Sequence, residues 1–144
     1  MRILLAFLAI VIGGCAVVQQ PAPVSAPEPA PAPPAARTES AAIAGLLDGA
    51  RADAAAGRLT NAAASLERAL RIEPRNPRLW QELARVRLKQ GEYAQAESTA
   101  ARSNSWAGGD NRLRAENWRL IAQAREARGD AAGARAALEA AGRQ

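Results

Sequence analysis

From Ile43 onward the chain is similar to itself at a spacing of 34 residues. A period of that length signifies a stack of like supersecondary units rather than one closed sheet or barrel. Ala50, Gly57, Ala62, Leu66, Ala69 and Pro74 of a first unit recur as Ala84, Gly91, Ala96, Ala100, Ser103 and Gly108 of a second. A third unit, displaced by four residues, carries Trp118, Ile121, Ala122, Gly129, Ala134, Leu138 and Ala141, and its first three match Trp80, Leu83 and Ala84. The units are predicted over about 43–76, 77–110 and 115–144, within a folded region of residues 40–144.

The recurring residue types describe a helical hairpin. Ala50, Ala84 and Ala122 on first helices, and Ala62, Ala96 and Ala134 on second helices, stand where two helices must approach closely, and only small side chains allow that. Gly57, Gly91 and Gly129 end the first helices by adopting the left-handed conformation at little cost. Asn76-Pro77 reads as an N-cap followed by proline at the first helical position, and Asp110-Asn111 can start the third hairpin in the same way. Hydrophobic residues make up 49% of the chain but aromatics only 3%, which suits close-packed helices better than a sheet sandwich. Trp80 and Trp118 are predicted to fill the gaps between neighbouring units, and Tyr93 to pack inside its own. Trp106 either fills a unit interface, as the counterpart of Ile72, or stands in the loop as an exposed anchor, and the interface is the preferred reading.

This pattern resembles the tetratricopeptide repeat: a large residue, leucine with a small residue close behind, a turn glycine, then small-large-small on a second helix and a closing proline. The resemblance covers residues 43 to 144 and implies an all-α fold, a tetratricopeptide-like solenoid of about three hairpins. The chain departs from the pattern in three ways. Gly49 stands where leucine is usual, unit two lacks its closing proline, and the four extra residues near Ser105–Gly109 are expected to make the exit of unit two irregular. The sequence also ends near the close of the last hairpin, so a partly apolar end face is expected there.

Ahead of the repeats lie two segments that cannot join a core. Arg2 is followed by an apolar run, Ile3 to Ile12, too short for an ordinary membrane-spanning helix and of the right form for a signal peptide over residues 1–14. The run closes on Ile12-Gly13-Gly14-Cys15, which resembles a bacterial lipobox, and this implies cleavage before Cys15 and acylation of its thiol. A plain signal peptide with a chance cysteine is the weaker reading of that spacing. Ala16 follows the cysteine, and by the sorting rule of such lipoproteins the lack of aspartate there implies the periplasmic face of the outer membrane. Residues 16–39 are predicted to be a disordered tether: seven of the chain's nine prolines fall here, and alternating Pro and Ala favours extended polyproline II, at about 3.1 Å per residue.

Composition narrows the function. The chain has no histidine and one cysteine, so the usual zinc, haem and nucleophile–base sets lack their residues, and neither catalysis nor a metal or cofactor is expected. A formal charge of +5 comes from arginines scattered among glutamates and aspartates along amphipathic helices, so nucleic acid is not the expected partner. Repeats of this kind bind proteins along a groove lined by their first helices. The groove positions implied by the resemblance are Leu47, Asp48, Arg51 and Ala55; then Gln81, Glu82, Arg85, Leu88 and Lys89; then Arg119, Leu120, Gln123 and Glu126. From these we take Arg51, Gln81, Arg85, Leu88, Arg119 and Gln123 as the candidate partner-binding residues, with Cys15 as the lipidation site. Arg51 and Arg85 share a repeat position and Arg119 lies a turn away, so one reading is a ladder open to carboxylates; ordinary solvated surface is the preferred reading of any single arginine.

The layout of lipobox, Pro/Ala-rich tether and short repeat domain resembles the LpoP-type lipoproteins, which stimulate a class A penicillin-binding protein. That resemblance implies a periplasmic adaptor for a cell-wall synthase. A pilotin-like assembly factor for an outer-membrane secretin, or a generic envelope scaffold, is the alternative.

Overall fold

The computed structural model describes the backbone of residues 34–144 and the side chains of residues 40–144. Among them there are six helices in three hairpins: α1 (Pro34–Ala55) with α2 (Leu59–Ile72), α3 (Pro77–Lys89) with α4 (Tyr93–Trp106), and α5 (Asn111–Ala127) with α6 (Ala131–Gly142). The tetratricopeptide-like all-α architecture expected from the period is the one observed. Among the described residues no helix is long and apolar enough to cross a membrane.

Each hairpin turns where the sequence places it. Gly91 takes φ 78°, and the next residue, Glu92, donates its N–H to the carbonyl of Arg87 at 2.9 Å. That bond, spanning the αL glycine, closes the helix end in the Schellman manner and satisfies a carbonyl the helix leaves orphaned. Asn76 caps α3, its Oδ1 accepting from the backbone N–H groups of Arg78 at 3.0 Å and Leu79 at 3.3 Å, with Pro77 at the first helical position where its missing N–H costs nothing.

Burial follows the repeat positions. Ile43, Ala50, Leu66, Leu70, Leu79, Leu83 and Val86 form one core between the first two hairpins, against which the half-buried Trp80 packs. Ala84, Ala100, Ile121, Ala122 and Ala137 form a second, flanked by Trp118 and Leu120. Ser103, at the small position matched by Ala69, is fully buried. Its hydroxyl donates to the carbonyl of Pro77 at 2.7 Å and accepts from the Asn117 amide at 2.7 Å. A serine there pins α4 to the start of α3 and to the middle of α5.

Four expectations are corrected. The connection from α4 to α5 is not irregular in length, since Trp106 to Asp110 repeats the spacing of Ile72 to Asn76. The four extra residues lie inside α5, which has 17 residues against 13 in α3. The third hairpin starts at Asn111, behind the expected Asp110 cap, so the third unit begins ahead of the 115 boundary. At the other end α1 begins at Pro34, so residues 34–39 of the predicted tether are helical; Pro34 is the last proline of the run, and proline is tolerated in a first helical turn. Trp106 does not lie in an interface: it is 40% exposed, and its counterpart Ile72 is 38% exposed. Cys15 and the remaining tether lie outside the described residues.

Gly49 is exposed on α1, and a Cβ added there would meet nothing within 4 Å. A methyl group would therefore fit here without displacing a neighbour. Glycine inside a helix costs roughly 0.5–1 kcal/mol relative to alanine. Gly49→Ala is accordingly expected to stabilise the domain by about that amount, read as a higher melting temperature; an unchanged or lower one would contradict the open site.

Candidate functional site

The first helices bring their facing side chains together in a groove with two halves. One half is a cavity of about 460 Å³ with an apolar wall of Ala50, Ala54, Leu66, Val86, Leu88 and Leu120. Arg51, Arg85 and Gln123 stand at its border. The other half, about 310 Å³, is polar and is lined by Arg51, Arg78, Gln81, Glu82, Arg85, Asp110, Arg112 and Glu116 among others.

Arg51, Arg85 and Arg112 of this groove are not free. Arg51 reaches Glu82 at 2.9 Å and, more loosely, Asp48 at 3.9 Å. Arg85 reaches the same Glu82 at 3.4 Å and Glu116 at 3.0 Å, and Glu116 is also met by Arg112 at 3.3 Å. The result is a continuous row, Asp48–Arg51–Glu82–Arg85–Glu116–Arg112, in which three carboxylates alternate with three guanidinium groups. Its net charge is zero. Each exposed pair contributes on the order of 0–1 kcal/mol, but the row runs across α1, α3 and α5 and so fixes how successive hairpins lean on one another.

The predicted site residues thus divide. Arg51, Arg85, Leu88 and Gln123 come together around the apolar cavity. Gln81 lines the polar half but is only 5% exposed, with its amide directed to the Leu113 carbonyl at 3.5 Å and Glu116 at 3.4 Å, so it joins α3 to α5. Arg119 is exposed and lines neither half of the groove. The extra turn of α5 is the reason: counted from the turn glycines, the counterpart of Arg85 is Gln123. The sequence reading missed Glu116, Arg112 and Arg78. The signal for Glu116 was present, because Asp48, Glu82 and Glu116 are spaced by the same 34 residues as Arg51 and Arg85.

The tetratricopeptide-repeat family model matches residues 53–115. No curated protein matches the chain. Among solved structures, the globular C-terminal domain of P. aeruginosa LpoP is similar at 50% sequence identity with a TM-score of 0.68, over 69% of this chain and 94% of that one. Half the residues are shared across nearly the whole of that domain, on the same repeat framework, and the chain belongs to the LpoP-like family of tetratricopeptide-repeat proteins.

Proposed function

We propose that the chain is a lipid-anchored periplasmic adaptor, held at the outer membrane through Cys15, that binds a class A penicillin-binding protein and raises its synthetic activity. The observation that carries this reading is the 50% identity to the LpoP domain over 94% of its length. Lipobox and tether supply the remaining parts of that layout, and the repeat fold points to a binding domain rather than a catalytic one. Within the groove, the apolar cavity beside Leu88 is the part suited to take a hydrophobic side chain of the partner, since the neighbouring Arg51, Glu82 and Arg85 already satisfy one another.

The test is glycan polymerisation by a purified class A penicillin-binding protein from the same organism, with and without the full acylated chain in detergent. A clear rise in polymerisation rate is expected. No stimulation, together with no complex between the two purified proteins, would remove the synthase from this reading.

A further inference from the structure

Arg78 and Lys89 are the cations of the groove without carboxylate partners among the described residues; a second set lies away from it. Arg75, in the connection between α2 and α3, stacks over the ring of Trp106 at 5.2 Å. Arg102, one turn before Trp106 on α4, stacks over Trp80 at 4.8 Å. The indole N–H of Trp80 in turn donates to the carbonyl of Pro74 at 2.8 Å, which ties the Arg75 connection to α3. Two arginines and two tryptophans therefore form one linked cluster, and Ile72 stands exposed beside it. Neither Arg75 nor Arg102 has an ion pair among the described residues, and none of these five residues lines the groove cavities. Arg68 and Ile72 on α2 occupy the positions that Arg102 and Trp106 hold on α4, 34 residues later.

A guanidinium held over an indole has lost much of its rotational freedom before any ligand arrives, while the N–H groups turned from the ring stay available. It is prepared to take a carboxylate bidentately. We infer that this cluster is a second docking surface, one that receives an acidic protein face presenting carboxylates on either side of an apolar side chain; the inference rests on the adaptor reading above and places a charge-dependent part of partner recognition here, outside the groove. Charge complementarity favours it. The groove row is neutral within itself and leaves only Arg78 and Lys89 unpaired there, whereas both stacked arginines are uncompensated and held on tryptophans, the tryptophan–arginine combination in which binding energy concentrates at protein interfaces. A membrane surface is the less suited occupant, because adsorption to lipid scales with the apolar area inserted and the two exposed side chains, Ile72 and Trp106, offer little.

The experiment uses the full acylated chain. In cells, a photo-crosslinking amino acid is placed at Ile72 or, separately, at Leu88 in the groove, and capture of the class A penicillin-binding protein is scored. Capture from Ile72 is expected. Capture from Leu88 alone would overturn the second surface and leave the adaptor reading standing, while capture from neither would overturn both. With purified proteins, Arg75→Glu combined with Arg102→Glu is expected to weaken binding of the synthase by roughly tenfold or more, the equivalent of one lost charge-assisted contact. Arg75→Gln with Arg102→Gln keeps side chains that can still lie on the rings and is expected to give a smaller loss at an unchanged melting temperature, which separates lost charge from lost folding. Synthase binding unchanged in both double variants would overturn the inference. So would charge reversal that abolishes binding to phosphatidylglycerol–phosphatidylethanolamine vesicles while leaving synthase binding intact.

Discussion

Leu79→Ala is expected to destabilise the domain by about 2–5 kcal/mol, a large part of what a domain of this size possesses. Leu79 is 0% exposed, in the core shared by the first two hairpins, and its N–H is held by the Asn76 cap. The capped helix start cannot readily move inward to fill the space left behind. Removal therefore carries both the lost transfer free energy and that of an unfilled cavity. Leu138 offers the contrast. It is 54% exposed on α6, beside an apolar hollow formed with Ala122, Ala127 and Ala134. The same substitution there is expected to change stability by less than about 0.5 kcal/mol. Chemical denaturation of both variants measures the difference, and equal losses would mean that the register of the repeats is misassigned.

Much of the fold was legible because a repeat period is a global constraint read from local residues. Gly57 and Gly91 located the turns, and Ala50, Ala84 and Ala62 located the close approaches, each for a steric reason independent of distant neighbours. The charged groove was legible only by half. Arg51 and Arg85 offered a ladder for a partner, while the carboxylates at the same 34-residue spacing, Asp48, Glu82 and Glu116, were not set against them. Pairing between helices depends on a register three residues short of the period, the interval from Arg51 to Glu82 and from Arg85 to Glu116. Trp106 failed for a different reason: equivalence to Ile72 was recognised, but equivalence says nothing about exposure, and both turned out to face solvent. The placement of the four extra residues required two signals together, the unchanged spacing between the caps Asn76 and Asp110 and the lengthened spacing between Gly91 and Gly129.

Cys15→Ser is expected to abolish acylation altogether, an all-or-none effect. Acyl transfer in lipoproteins of this kind needs sulfur as the nucleophile, and a hydroxyl, far less acidic than a thiol, does not substitute for a thiolate. The apolar run before it would still direct export, so the variant is expected in the periplasm as an unanchored protein. Labelling of cells with a fatty acid, followed by membrane fractionation, reads both consequences. Label retained on the serine variant, or absent from the parent chain, would show that Cys15 is not the anchor. Where Cys15 is the anchor, its loss should also reduce stimulation of a membrane-bound partner in cells more than in solution, because tethering raises local concentration without altering the contacts themselves.

The added turn in α5 limits what the scaffold can measure along a ligand. Four residues lengthen the helix by about 6 Å and, at 3.6 residues per turn, rotate the C-terminal part of the hairpin by roughly 40°. The first two hairpins present equivalent positions in phase, Arg51 with Arg85 and Arg68 with Arg102, but the third is in phase at its cap, Asp110, and out of phase by Gln123. A partner with regularly recurring side chains can be followed from the first hairpin to the second and then loses step. The scaffold is a two-mark ruler with a stop at its third division, suited to one short determinant of defined length rather than to a polymer running through.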